Sequence, residues 1–159
     1  MDNIIANVNN YFSGLAFDEV THTYTKQNKK LTPVSYVLKK FTEEFDSYKM
    51  SALVAKRRNT TQQIVLKEWE DNKNKSCSLG TKVHLFGEKY CRDRTLKPTD
   101  GYEEAIVKWY ATKPNYIEPL FLELQMYSES LDIAGTSDMV FYNTRTGKFK
   151  ILDYKTNGD

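Results

Sequence analysis

The sequence predicts a mixed α/β (α+β) protein whose sheet contains an antiparallel hairpin flanked by helices. Two patterns predict this class. Through most of the first two thirds of the chain, apolar residues recur at the spacing of amphipathic helices. Beyond Pro114 they form strand-like runs. The 159 residues are enough for one buried core, so we predict a single domain over 1–159. Within it, 15–75 form strands and helices, and 78–156 form a core helix and a sheet.

A strand pair and several helices are predicted first. Residues 15–24 alternate weakly and are rich in Thr and aromatic residues, and Gln27-Asn28 is typical of a turn, so we predict a hairpin. Thr32-Pro33 has the pattern of an N-cap followed by a proline, which predicts a helix over 33–44. Residues 48–71 predict one or two amphipathic helices that carry basic residues.

Two further helices and three strands are predicted in the rest of the chain. Ser78 is a suitable N-cap for a helix over 79–92. Asp100 or Gly101 opens a helix over 102–111. The strand-like runs that follow cover 119–127, 135–142 and 148–155.

Charge is distributed unevenly along the chain. Residues 26–97 contain 17 Lys and Arg against 8 Asp and Glu, whereas residues 98–159 contain 6 against 10. A basic segment that includes Lys56, Arg57 and Arg58 suits a phosphate backbone, and an acidic segment suits divalent cations. The alternative is that these charges only solvate helix faces.

The sequence contains no apolar stretch of about 18 residues, the length that a membrane span requires. The N-terminus also lacks the basic region and the cleavage site of a secretory signal. We therefore expect a cytoplasmic protein with no membrane partner.

Two carboxylates and a lysine are predicted to converge in the last hairpin. If Asn143 pairs with Lys148 across the short polar loop between them, Asp138 stands opposite Asp153. The Cβ atoms of such a pair are about 4.5 to 5.5 Å apart. Side chains alternate along a strand, so Lys155 shares a face with Asp153.

This arrangement suits metal-dependent phosphodiester hydrolysis. Opposed carboxylates repel each other unless a cation lies between them, and Mg²⁺ and Mn²⁺ prefer oxygen ligands. The metal activates water, and a nearby ammonium group stabilises charge on the phosphate. The alternative is a hairpin in which Asp138 and Asp153 end strands and pair with Lys155. A slip of one residue in the loop would also separate the two acids.

Four stretches resemble motifs of one enzyme family. Residues 135–141 (GTSDMVF) and 151–156 (ILDYKT) resemble the AGTxDxV and IxDYKT core of RecB-like PD-(D/E)XK nucleases. This group includes phage recombination exonucleases and the mitochondrial genome maintenance exonuclease. Residues 78–88 resemble the family's GTxxHxxxE helix, and 17–24 with 31–35 resemble its opening H-x-Y and SVT stretch.

The resemblance implies a restriction-endonuclease-like core and a set of site residues. Those residues are Asp138, Asp153 and Lys155 for catalysis, with His84 joining the two aspartates at a Mg²⁺ or Mn²⁺ ion and with Glu123 and Glu88 in support. Two alternatives remain open. His84 could instead pair with Glu88 on its helix, and Glu123 could simply face solvent on an edge strand.

The function implied is that of a metal-dependent DNA exonuclease in phage-type recombination, replication or repair. Its partner would be DNA, contacted by Lys56, Arg57 and Arg58, together with a recombination or single-strand-binding protein. The first alternative is a catalytically impaired DNA-binding or assembly module that retains the nuclease fold, and the second is a sequence-specific endonuclease. The family usually continues beyond its D-x-K motif into a helix with a QxxxY motif. Because this sequence ends at Asp159, it is expected to be either truncated or a minimal or degenerate member.

Overall fold

The protein is a mixed α/β protein, as the sequence predicts. A computed structural model describes residues 1–156, which contain five helices and six strands. In chain order the elements are α1 (Asp2–Tyr11), β1 (Leu15–Asp18), β2 (Thr23–Lys26), β3 (Lys29–Pro33), α2 (Val34–Lys39), α3 (Ser47–Arg58), α4 (Gln62–Arg92), α5 (Gly101–Thr112), β4 (Ile117–Ser128), β5 (Ile133–Asn143) and β6 (Lys148–Leu152). Helix α1 was not anticipated from the sequence, and no residue in it is fully buried.

The six strands form one mixed sheet. Its order is β1-β2-β3-β5-β4, and β6 also pairs with β5. Strand β3 runs parallel to β5, whereas the other pairs are antiparallel. Strand β1 also lies beside β4, so the sheet is nearly closed. The predicted antiparallel hairpin is the pair β5–β6.

The chain divides into two compact units. The sheet unit contains residues 1–42 and 108–153, and with them all six strands. The helical unit contains residues 43–107 and the segment that begins at Tyr154, and with them α3 and α4. Whether the two units form the single predicted domain stays a prediction.

Strand β5 carries the core of the sheet unit on both faces. On one face, Ala134 is fully buried against Tyr24 and Leu31. On the other face, Met139 and Phe141 are buried beneath α5, where the rings of Trp109 and Phe141 lie 5.1 Å apart between centroids. Burying a Met or Phe side chain contributes about 1.5 to 3 kcal/mol, so these contacts fix β5 firmly in the sheet.

The β2–β3 hairpin has the predicted turn, but the helix that follows is shorter than predicted. Gln27 and Asn28 both have positive φ, at 49° and 65°, which suits a two-residue hairpin loop. The predicted N-cap at Thr32 is wrong because the amide of Thr32 donates to the Asp132 carbonyl at 2.9 Å and Thr32 pairs with β5. Helix α2 therefore begins after Pro33.

The helical unit contains the two helices expected over 48–71, but the predicted start at Ser78 is wrong. Helix α4 runs for 31 residues without a break at Ser78. Its N-cap is Thr61, whose side chain accepts a hydrogen bond from the amide of Ile64. Because the residues just before Ser78 include no proline or glycine, nothing ends a helix there. No helix within residues 1–156 has both the length and the apolar character that crossing a membrane requires.

Helix α5 begins as predicted. The Asp100 carboxylate accepts hydrogen bonds from the amides of Tyr102 and Glu103, both at 3.0 Å. Glu103 is only 4% exposed, and it accepts from the amide and hydroxyl of Thr99 at 2.6 and 2.8 Å. The Lys82 ammonium lies 2.5 Å from Asp100 and 3.4 Å from Glu103, so α4 and α5 share an ionic network.

Candidate metal centre

The register of the β5–β6 hairpin is the one that the sequence predicts. Asn143 pairs with Lys148, and the ladder continues to Met139 and Leu152. The predicted strand over 148–155 is wrong at its end, because β6 stops at Leu152. The next pair would oppose Asp138 and Asp153, and two like charges directly across an antiparallel ladder destabilise it. The ladder therefore ends just before the two aspartates, whose negative charges would repel each other.

Because β6 ends at Leu152, strand alternation no longer predicts where the side chains of Asp153 and Lys155 point. Asp153 is exposed and follows the last strand pair, and Lys155 lies two residues further on. The alternation of side chains that gave them a common face holds only within a strand. The convergence of Asp153 and Lys155 with Asp138 therefore stays a prediction.

Asp138 lies in the middle of β5. One edge of β5 pairs with β6, and the other edge pairs with β4. Its neighbours Ser137 and Met139 point to the opposite face, where they are 7% and 0% exposed. Asp138 itself is half-buried. Leu122 pairs with Met139 and Leu124 with Ser137, so these strand pairs bracket Asp138 from both sides.

Glu123 occupies the position in β4 that faces Asp138. Its backbone φ is 50°, in the left-handed region that non-glycine residues rarely adopt. Such a conformation costs about 1 to 3 kcal/mol and persists only where neighbouring pairs enforce it. Oxygen atoms of Glu123 and Asp138 lie within 4.8 Å of each other. Glu123 is thus exposed, as one alternative held, and also adjacent to the predicted site.

Two carboxylates at this distance favour a cation between them. Like charges repel each other at this distance, and solvent weakens the repulsion at the exposed Glu123. A divalent cation would replace that repulsion with two attractions. Carboxylate oxygens are the ligands that Mg²⁺ and Mn²⁺ prefer, so the donor set of this carboxylate pair fits the predicted metals.

His84 lies in the helical unit, where a backbone carbonyl group orients its ring. Its Nε2 is 2.9 Å from the carbonyl oxygen of Tyr154. A carbonyl oxygen only accepts, so Nε2 is the donor in this hydrogen bond. Metal-binding histidines are oriented in this way, with one nitrogen donating to a carbonyl group. The role of His84 as a ligand stays a prediction.

Glu88 has a partner other than His84. Its carboxylate forms an ion pair with Arg92 at 2.7 Å, one turn along α4. The alternative in which His84 pairs with Glu88 stays open, because a carboxylate can accept from more than one group. The supporting role of Glu88 stays a prediction, in competition with its ion pair.

Gly87 was not singled out from the sequence, yet it shapes the segment after β6. A Cβ atom at Gly87 would lie 2.5 Å from a carbon of the Tyr154 ring, so only glycine leaves room for this ring. The Tyr154 ring also lies 5.6 Å from the His84 ring, measured between centroids. Helix α4 thus holds the residue that stands between Asp153 and Lys155 in the sequence. The one available signal was a glycine within a helical pattern.

The predicted DNA contacts form the last turn of α3. Lys56, Arg57 and Arg58 are all exposed there, where positive charge also stabilises the helix dipole. Arg58 donates to Glu68 at 2.8 Å, so part of this charge is neutralised. The triplet thus has a structural role, and its contact with DNA stays a prediction.

Comparisons with known proteins do not assign the chain to a family. No family model matches it, and no curated protein or solved structure matches it. A function must therefore be argued from the residues of this chain and from the motifs that they resemble.

Proposed function

We propose that this chain is a Mg²⁺- or Mn²⁺-dependent deoxyribonuclease with a restriction-endonuclease-like core. The observation that carries the proposal is the carboxylate pair of Glu123 and Asp138, held face to face across β4 and β5. Neighbouring strand pairs hold Glu123 in an unfavourable backbone conformation at this point. Strain of this kind is concentrated at functional sites.

The division of roles follows from the chemistry of the side chains. Asp138 and Glu123 supply oxygen ligands, and the motif resemblance adds Asp153 and His84 as further ligands. When bound, a divalent metal lowers the pKa of a water molecule and offsets charge on the phosphate. Lys155 carries a cation that orients the attacked phosphate and stabilises its developing charge.

The motif resemblance further narrows the activity to an exonuclease. The substrate is DNA, and the setting is phage-type recombination, replication or repair in the cytoplasm, which is the host cytoplasm if a phage encodes the chain. The partner would be a recombination or single-strand-binding protein. These features rest on the motifs at 78–88, 135–141 and 151–156.

The deciding experiment is release of nucleotides from linear DNA by the purified chain. Cleavage is expected with Mg²⁺ or Mn²⁺ and not with EDTA, and Asp138→Asn should abolish it. Glu118→Gln is the matched control, because Glu118 is another β4 carboxylate that pairs opposite Tyr142, away from the carboxylate pair. Equal loss in both variants, or cleavage in EDTA, would contradict the proposal. Cutting of circular DNA would indicate an endonuclease instead.

The second candidate is a DNA-binding or assembly module that keeps the fold but lacks turnover. The end of β6 at Leu152 favours it, because no strand pairing holds Asp153 and Lys155. DNA binding without cleavage in either metal would support this candidate over the nuclease.

A further inference from the structure

A groove beside the β2–β3 hairpin has no role in the proposed chemistry. It encloses about 500 Å³ and is lined by residues 21–23, residues 30–33 and Tyr36. All of these belong to the sheet unit. A volume of this size accommodates a small organic group such as a nucleoside.

The loop at one side of the groove is held in a fixed conformation. The Asp18 carboxylate accepts hydrogen bonds from the amides of Val20 and Thr21, at 2.9 and 3.0 Å. His22 has φ of 48°, and its ring lies 6.1 Å from the Phe17 ring, measured between centroids. The imidazole and the Thr21 hydroxyl are therefore presented by an ordered loop.

An exposed aromatic ring stands at the other side. Tyr36 is 56% exposed although it is a large hydrophobic residue in a helix. The Lys40 ammonium lies 5.3 Å from its ring centroid, which places a cation beside a flat surface. An exposed ring with a neighbouring cation is the platform on which single-stranded nucleic acids stack their bases.

Two lysines supply positive charge at the groove. Lys30 lines it, and Lys40 lies beside Tyr36. Within residues 1–156, the Lys30 ammonium has no ion pair, whereas its neighbour Lys29 is bound to Asp132. Asp18 and Glu19 are the acidic residues of the adjoining loop, but neither lines the groove, and two amide hydrogen bonds offset part of the charge of Asp18. The groove thus suits a phosphate backbone.

We propose that this groove binds a single strand of DNA, with a base stacked on Tyr36 and phosphates near Lys30 and Lys40. The choice of DNA rests on the proposed function. The binding itself needs no metal, because neither member of the carboxylate pair lines the groove. A duplex is a poor ligand because its bases are already stacked.

The test is binding of a fluorescein-labelled oligo-dT of about 12 nucleotides, a length within the usual single-strand site sizes, measured in EDTA. Tyr36→Ala should raise Kd at least about fivefold, the smallest loss typical of one stacked base. Tyr36→Phe should restore binding, since it keeps the ring. Tyr48→Ala is the matched control, because Tyr48 is 71% exposed in the other unit and should not affect Kd.

The lysines are tested through salt dependence. Changing Lys30 and Lys40 together to Gln should reduce the slope of log Kd against log salt by about 1.4, or about 0.7 for each phosphate of a single strand that is no longer neutralised. Changing Lys73 and Lys75 to Gln removes the same charge from exposed positions on α4 and should leave the slope unchanged. Equal effects of the two pairs, or competition by duplex as strong as by single strand, would overturn the proposal.

The result separates this inference from the proposed function. If the wild type cleaves DNA with Mn²⁺ but the Tyr36 and lysine variants bind oligo-dT as well as it does, the groove is not the binding site and the nuclease stands. If binding depends on Tyr36 but neither metal supports cleavage, the groove stands and the nuclease proposal fails.

Discussion

The two edges of β5 hold the predicted site residues in different ways. On the β4 side, strand pairs on both sides of Glu123 fix it opposite Asp138, even at the cost of a left-handed backbone. On the β6 side, the ladder ends at Leu152, and the residue that follows Asp153 packs against Gly87 of α4. The β4 edge is therefore fixed by backbone pairing, whereas Tyr154, beyond the end of β6, is held by side-chain packing within the helical unit. We expect metal binding to depend mainly on the first edge and turnover on the second.

The largest expected effect is that a Lys155 variant loses DNA cleavage but keeps its affinity for the metal. Lys155→Ala should cut the rate of DNA cleavage by about a hundred- to a thousandfold, as when a single charge-stabilising group leaves a preorganised site. Its metal affinity should stay the same or rise, because a nearby positive charge is removed. Nucleotide release and calorimetric titration with Mn²⁺ measure the two quantities. Lys150→Ala is the control, since it removes the same charge from an exposed position on β6. Cleavage close to wild type would show that the D-x-K resemblance is only formal.

Metal affinity should distinguish the two aspartates. Asp138→Asn should weaken Mn²⁺ binding at least about a hundredfold, more than the loss of a group that only orients a ligand. Asp153→Asn should weaken it about tenfold, because no strand pair holds Asp153 in place. Calorimetry on both variants measures the difference. Equal losses of affinity would show that Asp153 contributes as much to metal binding as Asp138 does.

The sequence predicted the parts of this site that depend on local pattern. The hairpin register followed from the polar loop after Asn143. The position of Glu123 next to Asp138 depends on pairing between distant strands and on an unfavourable φ. No local pattern encodes either feature.

The errors have equally physical causes. Ser78 has the composition of a cap, but it lies within a helix that nothing interrupts. The end of β6 reflects repulsion between acids that are far apart in the sequence. Helix α1 was missed although Ile4, Ile5, Val8 and Phe12 recur at helical spacing. The end of β6 thus depends on residues that are distant in sequence, whereas the extent of α4 follows from the local absence of a helix-breaking residue before Ser78.

The packing of Tyr154 against α4 is tested at two glycines of that helix. Gly87→Ala should lower the free energy of unfolding by about 1 to 3 kcal/mol, since the new methyl group overlaps the Tyr154 ring. Gly80→Ala is the matched control. Its nearest contact would be Thr156 at 3.9 Å, so the usual helix preference for alanine should stabilise it by up to about 1 kcal/mol. Denaturant unfolding of both variants measures the effect. Equal stability of the two variants would show that Tyr154 is not held by Gly87.

The smallest effect concerns the ionic network of Lys82, Asp100 and Glu103. The hydrogen bond from Lys82 holds the pKa of Asp100 below its ordinary value of 3.8. Burial opposes ionisation of Glu103, but hydrogen bonds from Thr99 and Lys82 outweigh it, so the pKa of Glu103 lies below 4.5.

A carboxyl group with a lowered pKa contributes its full stability to the fold at a pH above its ordinary pKa. This contribution is lost as the pH falls through the lowered pKa. Lys82→Met should therefore lower Tm at pH 7, and its difference from wild type should shrink as pH falls from about 5 toward 2. Lys73→Met changes the same charge at an exposed position of α4 and should show no such trend. A Tm difference for Lys82→Met that stays constant across this range would mean that the ionic network does not contribute through the ionised carboxylates.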